Sequence, residues 1–149
     1  MPAIKTFNLV AFLAACLFAG VVFAERYESF GDYQIHYNAF TTDLIDPSVA
    51  RAHNITRSKN RALINVAVLR RTAGVPLQPV RATVTVEAVN LNAQLRAIEI
   101  RELNDRGAIY YIGEFPVGYN ETLNFKLEVT PEGVGKTHNF TFKQEFYAG

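Results

Sequence analysis

Beyond residue 30, apolar and polar residues alternate with a period of two along most of this chain, the pattern of extended strands that bury one face. Leu123, Phe125, Leu127 and Val129 interleave with Asn124, Lys126, Glu128 and Thr130, and Val84, Val86 and Ala88 with Thr83, Thr85 and Glu87. Phe140 and Phe142 do the same against Thr141 and Lys143, and Ile98 and Ile100 against Glu99 and Arg101. Two runs, 62–69 and 108–115, are richer in apolar residues and predict central strands. Turn formers separate the runs: Gly74-Val75-Pro76 with Pro79, Asn104-Asp105-Arg106-Gly107, Gly118-Tyr119-Asn120 and Pro131-Glu132-Gly133. Asp105-Arg106-Gly107 predicts a hairpin, because a tight return between strands needs positive φ and glycine accepts it.

With Tyr33 to Phe40 taken as the first, strands are expected over 33–40, 61–70, 81–90, 96–103, 108–115, 122–130 and 138–147. These predict an all-β fold, a seven-stranded antiparallel immunoglobulin-like β-sandwich, with a closed barrel as the alternative. The chain has no tryptophan and a lone cysteine, so any likeness to antibody domains is architectural. One segment departs from the pattern. Asp46-Pro47-Ser48-Val49-Ala50-Arg51-Ala52-His53 predicts a short helical insert, with Asp46 capping free N–H groups and Pro47 at the first helical position, where its missing N–H is harmless. The insert is expected to cover an open end or edge of the sandwich.

The N-terminus changes the picture of where the chain works. Lys5 is followed by Phe7 to Ala24 without a further charge, and the run closes on Val22-Phe23-Ala24 before Glu25. That is the layout of a signal peptide over residues 1–24, cut after Ala24, which leaves 25–149 as one β-sandwich domain in the bacterial periplasm with no membrane span. An uncleaved anchor and a lipoprotein are the alternatives. Leu13-Ala14-Ala15-Cys16 resembles a lipidation site at Cys16, although the apolar run continues past it to Ala24 instead of giving way to a polar tether. Cys16 is the chain's one cysteine, so the expected mature domain carries no thiol and its stability rests on the hydrophobic core.

Charge narrows the partners. The chain has 15 Lys+Arg and 14 Asp+Glu, and loss of Lys5 balances them. A nucleic-acid binder carries a basic excess or stripe, so nucleic acid is not an expected partner.

Few residues suggest chemistry. On Tyr33 to Phe40 one face holds Tyr33, Ile35, Tyr37 and Ala39 and the other Gln34, His36, Asn38 and Phe40, so His36 and Asn38 project together from the more polar side. Arg57, Lys59, Asn60 and Arg61 form a local polar and cationic group that could grip a carboxylate or phosphate through a guanidinium fork and an ammonium. The competing structural role has Arg57 and Arg61 pairing with Asp32, Asp43 or Asp46 to pin the insert while Asn38 and Asn60 satisfy backbone groups.

Catalytic patterns are weaker. Ser29, Ser48 and Ser58 stand in no nucleophile-elbow context, and His36, His53 and His138 have no metal-ligand spacing, so no catalytic residue, metal or cofactor is expected. Glu99 with Glu102, or Glu114 with Glu121, would serve glycoside chemistry only at a separation the sequence does not fix. Gly133-Val134-Gly135-Lys136-Thr137 lacks the first glycine of a phosphate loop and reads as a turn, and the Asn-x-Thr triplets at Asn54, Asn120 and Asn139 read as structural.

Phe30-Gly31-Asp32-Tyr33-Gln34-Ile35-His36-Tyr37-Asn38-Ala39-Phe40, Ile55 to Leu63 and the closing Phe140 to Tyr147 resemble a family of small exported proteobacterial proteins known only as a domain of unknown function. The resemblance implies a compartment and a fold, with no catalytic residues to carry over. The expected function is a non-catalytic periplasmic module that binds a protein or envelope component through a sheet face, an edge strand or the Arg57–Arg61 segment. The alternative is a binder of a small anionic or glycan ligand, or an unrecognised hydrolase, with a pocket near His36, Asn38 and Arg57.

Overall fold

The computed structural model describes residues 26–147. The expected cut after Ala24 and the alternative at Cys16 lie outside the described residues. Ten strands run β1 (Arg26–Phe30), β2 (Tyr33–Thr41), β3 (Arg61–Thr72), β4 (Val75–Pro79), β5 (Ala82–Asn90), β6 (Leu95–Ile98), β7 (Arg101–Asp105), β8 (Ala108–Pro116), β9 (Glu121–Pro131) and β10 (His138–Phe146), with one short helix, α1 (Pro47–Ala52), between β2 and β3. Sheet A has the order β1-β2-β3-β8-β7, with β4 also on β3, and sheet B the order β10-β9-β5-β6. All pairings are antiparallel.

The expected all-β sandwich is therefore present, with ten strands in place of seven. Two of the additions, β1 and β4, are five-residue strands. The third arises because 96–103 is not continuous: β6 pairs with β5 in sheet B, and the chain then crosses at Glu99–Ile100 to form β7 on β8 in sheet A. The crossing passes directly over Gly113 of β8, where a Cβ would lie 2.5 Å from Ile98 Cγ2 and 2.8 Å from the Glu99 carbonyl oxygen. A glycine inside a strand marks such a close approach of backbone. The hairpin at Asp105–Ala108 forms as expected, with Arg106 at φ 48° and Gly107 at φ 86°, both positive as a two-residue return requires.

Alternation decides which side chains meet between the sheets. Ile35, Tyr37 and Ala39 of β2, Ile64, Val66 and Val68 of β3 and Tyr111 and Phe115 of β8 face Val86 and Ala88 of β5 and Leu123, Phe125, Leu127 and Val129 of β9. Aromatic rings join the layers: Phe125 stacks on Phe142 at 4.7 Å and meets Phe115 edge-on at 5.6 Å, while Tyr37 touches Phe140 and Phe142.

The series ends at His138, which is 7% exposed and stacks on Phe30 at 4.5 Å. Burial, aided by the Lys136 charge, holds its pKa below the ordinary 6.5. The unfolded chain therefore takes up a proton there more readily than the folded one, so this contribution to stability is complete above about pH 6.5 and is lost as pH falls below it. Denaturant midpoints measured at pH 7.5 and 5.5 are expected to fall with pH in the natural protein and to lose much of that slope in His138→Phe. An equal slope in the variant would assign the titration to another group.

The insert forms as expected but in a different place. Asp46 accepts from the backbone N–H of Ser48 at 2.8 Å and of Val49 at 3.4 Å, and Pro47 occupies the first turn. The Ser48 hydroxyl, which also donates to this carboxylate, and after it these backbone bonds hold the Asp46 carboxyl below its ordinary pKa. The insert does not close an end or edge of the sandwich. It lies on the outer face of sheet A, where Ile45, Ala50 and Ile55 bury Phe40, Leu63, Tyr110 and Ile112 in a second small core. The reason is that the outward positions of β2, β3 and β8 carry large apolar side chains, which need a cover. Both central strands are thus buried on two faces.

Candidate functional site

The structure separates the residues that the sequence suggested as one site. His36 and Asn38 lie on the outer face of sheet A, opposite Ala67 and Asn65 of β3 respectively. Arg57 sits at the far end of β2, where its Nε donates to the Ile45 carbonyl at 2.7 Å and its Nη2 to the Asp43 carbonyl at 2.7 Å. Six residues of extended chain separate His36 from Thr42, roughly 20 Å at about 3.3 Å per residue. Thr42 is tied into the same corner, accepting from the Ser58 N–H at 2.9 Å and donating to the Thr56 carbonyl at 2.7 Å. Arg57 therefore clamps the insert, through main-chain carbonyls and not through the carboxylates of Asp32, Asp43 or Asp46.

Lys59 and Asn60 are exposed in the turn that leads into β3, and the Asn60 carbonyl accepts from Val117 N–H at 2.9 Å. Arg61 lies 3.8 Å from Glu114, whose other oxygen accepts from Thr56 N–H at 3.2 Å. Asn38 turns its Oδ1 onto the N–H of Ala39 at 2.9 Å. Glu102 and Glu121, two of the other carboxylates considered for acid–base chemistry, are similarly engaged. Glu102 accepts from the Tyr111 hydroxyl at 3.1 Å, and Glu121 pairs with Arg96 and accepts from Gly118 N–H at 2.7 Å. Burial alone would raise the Glu121 pKa, but Arg96 and Gly118 outweigh it and keep the group below the ordinary carboxylate range.

Two surfaces remain that are shaped for contact. The first is the end of the sandwich where β5, β8 and β10 finish and β6 and β9 begin. Arg96 binds it together, since Nη1 donates to the Pro116 carbonyl at 3.0 Å and to Glu121 at 3.2 Å. Phe146 of β10 pairs with Glu121, and Asn90 of β5 with Leu123, so the neighbouring segments converge here. From this end project Leu91, Leu95, Tyr119 and Tyr147, exposed by 74%, 61%, 74% and 66%. Sequence reasoning missed them as a group. The available signal was Leu91 and Tyr119, large residues inside turns rich in Asn, Gly and Gln.

The second surface is the strip of sheet A beside β1 that the insert leaves uncovered. Tyr27 of β1 pairs with His36, and their rings stack at 5.2 Å. His36 Nε2 and Gln34 Oε1 stand 3.3 Å apart. Asn65, which sequence reasoning passed over inside an apolar run, lies opposite Asn38 on one side and Ile112 on the other, at the foot of the insert.

The sequence matches the family model for DUF4426, a domain of unknown function, over residues 27–149. Among solved structures, the crystal structure of a DUF4426 family protein from Pseudomonas aeruginosa PAO1 is 35% identical and superposes with a TM-score of 0.71, covering 83% of this chain and 94% of that one. A copper-bound variant of FetP from uropathogenic Escherichia coli strain F11 has 9% identity and a TM-score of 0.58, covering 83% of this chain and 98% of that one. FetP as isolated after expression in the periplasm of E. coli BL21(DE3) has 7% identity and a TM-score of 0.58, with 83% and 94% covered. At these identities the likeness to FetP is one of fold. No match was found among curated proteins.

Proposed function

The chain belongs to the DUF4426 family, and from that premise we propose that it is an exported, non-catalytic binding module that engages another protein of the cell envelope through the end of the sandwich carrying Leu91, Leu95, Tyr119 and Tyr147. One observation carries the reading: four large apolar side chains, each at least 61% exposed, share one end of the fold. Large apolar groups grouped in solvent are characteristic of contact surfaces, and tyrosine is enriched in them.

The other surfaces support it less well. Four of the edge strands are protected: β4 carries Pro76 and Pro79, β7 reads Arg-Glu-Leu-Asn-Asp, β6 has four residues, and the β10 carbonyl of Lys143 accepts from Arg26 at 3.4 Å. Within the Arg57 to Arg61 segment, Arg57 is bonded to the carbonyls of Asp43 and Ile45 and Arg61 lies 3.8 Å from Glu114. Export follows from the charge pattern of residues 1–24. The copper of FetP is not carried over, and among the described residues no three His, Cys, Asp or Glu side chains are grouped to hold a metal.

The test is site-specific photocrosslinking in cells, with the probe at Tyr119 or Leu91 and, as a reference, at Lys126 in the outward face of sheet B. The expected result is a discrete crosslink to one envelope protein from positions 119 and 91 and none from 126, together with a mature N-terminus at Glu25 by mass spectrometry. Equal labelling from 126, or a crosslink only to a second copy of this chain, overturns the assigned surface. An acylated Cys16 overturns the cut after Ala24.

A further inference from the structure

We propose that this chain pairs with a second copy of itself, β1 against β1 in an antiparallel register centred on Tyr27, so that two sandwiches lie side by side about a two-fold axis. The inference begins with the outer edge of β1. In sheet A this strand has β2 on one side and no strand of this chain on the other, and Arg26 to Ser29 are exposed. The direction of its backbone groups follows from its neighbours. The Val68 carbonyl of β3 accepts from Val80 N–H on the side away from β2, so Ile35, opposite Val68, turns its own groups towards β1 and exchanges hydrogen bonds with Glu28. Arg26 and Phe30 bond inward in the same way. The N–H and C=O of Tyr27 and Ser29 are therefore directed outward, where a further strand can take them up.

Charge selects the strand that fits. When β1 meets its own copy about Tyr27, the two Tyr27 residues exchange hydrogen bonds, and Arg26 of each copy stands opposite Glu28 of the other, in the pairs whose side chains approach more closely. A register centred on Glu28 would set two carboxylates against each other instead. The second sheet repeats the arrangement. Lys143 and Glu145 bracket Gln144 on β10 as Arg26 and Glu28 bracket Tyr27, and both are exposed. Arg26 Nη1 donates to the Lys143 carbonyl at 3.4 Å, so the two centres lie at nearly the same height on this side of the sandwich. One two-fold axis thus brings Lys143 of each copy towards Glu145 of the other as well, and a self-complementary patch is what a two-fold dimer requires.

β10 contributes these charges without a ladder of its own. Its carbonyls on this side are engaged, that of Lys143 by Arg26 and that of Glu145 by the Gln144 side chain at 2.9 Å. Leu91 follows β5, which β9 separates from β10, so the β1 edge and the Leu91 probe report on different surfaces. Failure at one leaves the other standing.

The test is sedimentation velocity on residues 25–149 from about 1 μM to about 1 mM, with circular dichroism to check the fold of each variant. A concentration-dependent equilibrium between monomer and dimer is expected. Arg26→Glu, Glu28→Arg and Lys143→Glu are each expected to weaken the dimer by about tenfold or more. The double variant Arg26→Glu with Glu28→Arg is expected to recover the natural affinity, because the exchanged charges meet again across the axis. Tyr27→Pro is expected to stay folded, since the Tyr27 N–H takes no part in the β1–β2 ladder, and to be monomeric. A monomer at the highest concentration, a dimer indifferent to the charge reversals, a double variant no tighter than the single ones, or a dimer that survives Tyr27→Pro overturns the proposal. Lys143 lies on another strand, so its variant keeps the test decisive should a β1 variant unfold.

Discussion

Gly113→Val is expected to lower the melting midpoint by roughly 10 °C or more, or to prevent folding altogether. The cause is steric. At Gly113 the connection between β6 and β7 crosses the inner side of β8, and a single added carbon would stand 2.8 Å from the Glu99 carbonyl oxygen and 2.8 Å from Ile100 Cδ1. An isoleucine tip can rotate away, but the carbonyl belongs to the crossing backbone, and moving it shifts either the β5–β6 pairing at Val86–Ile98 or the β7–β8 pairing at Arg101–Ile112. Overpacking of this kind costs about 1–3 kcal/mol for one methylene and more for a branched side chain. Gly113→Ala should fall between the natural protein and the valine variant, which makes a graded series by thermal melting. A valine variant that melts with the natural protein would mean that the chain does not cross there.

That crossing also illustrates what the amino-acid pattern conveys and what it hides. The strands whose faces differ most in polarity, β5, β9 and β10, are legible because each apolar residue has a polar neighbour. The stretch 96–103 alternates equally well, yet it is two strands in two sheets. Ile98 and Ile100 both point inward whichever sheet receives them, so alternation is blind to the switch, and the single clue was Gly113 within an otherwise bulky strand.

β1 and β4 were hidden for a related reason. Arg26 to Phe30 and Val75 to Pro79 are mostly exposed edge strands held by backbone bonds to β2 and β3, and such bonds leave no hydrophobic signature. The helix was legible from Asp46 and Pro47, but its resting place was not, because Phe40, Leu63, Tyr110 and Ile112 come together only after three strands pair. In the candidate site, the shared face of His36 and Asn38 followed from their spacing. The role of Arg57 did not, since main-chain carbonyls are acceptors that no residue type announces. Asn65 escaped notice because one polar residue in an apolar run looks like a lapse in the pattern until its partners are known.

Phe125→Ala is the complementary expectation, a loss of packing where Gly113→Val forces an excess. Phe125 is fully buried, and its ring contacts Phe115, Phe142 and Phe146, so from β9 it links β8 of sheet A to the outer strand β10. Removing a buried phenyl ring takes away its transfer free energy and leaves a cavity that rigid strands cannot collapse, together about 3–5 kcal/mol. Domains of ordinary stability hold only about 5–15 kcal/mol in total. With Cys16 the one cysteine in the sequence, residues 26–147 have no disulfide to limit the entropy of the unfolded chain, and packing between the two sheets must carry the fold. Urea titration should show a lower midpoint with an unchanged slope, since the surface exposed on unfolding is nearly the same. A midpoint within experimental error of the natural protein would show that the sheets do not depend on this ring, and the physical basis for a thiol-free sandwich would have to be sought elsewhere.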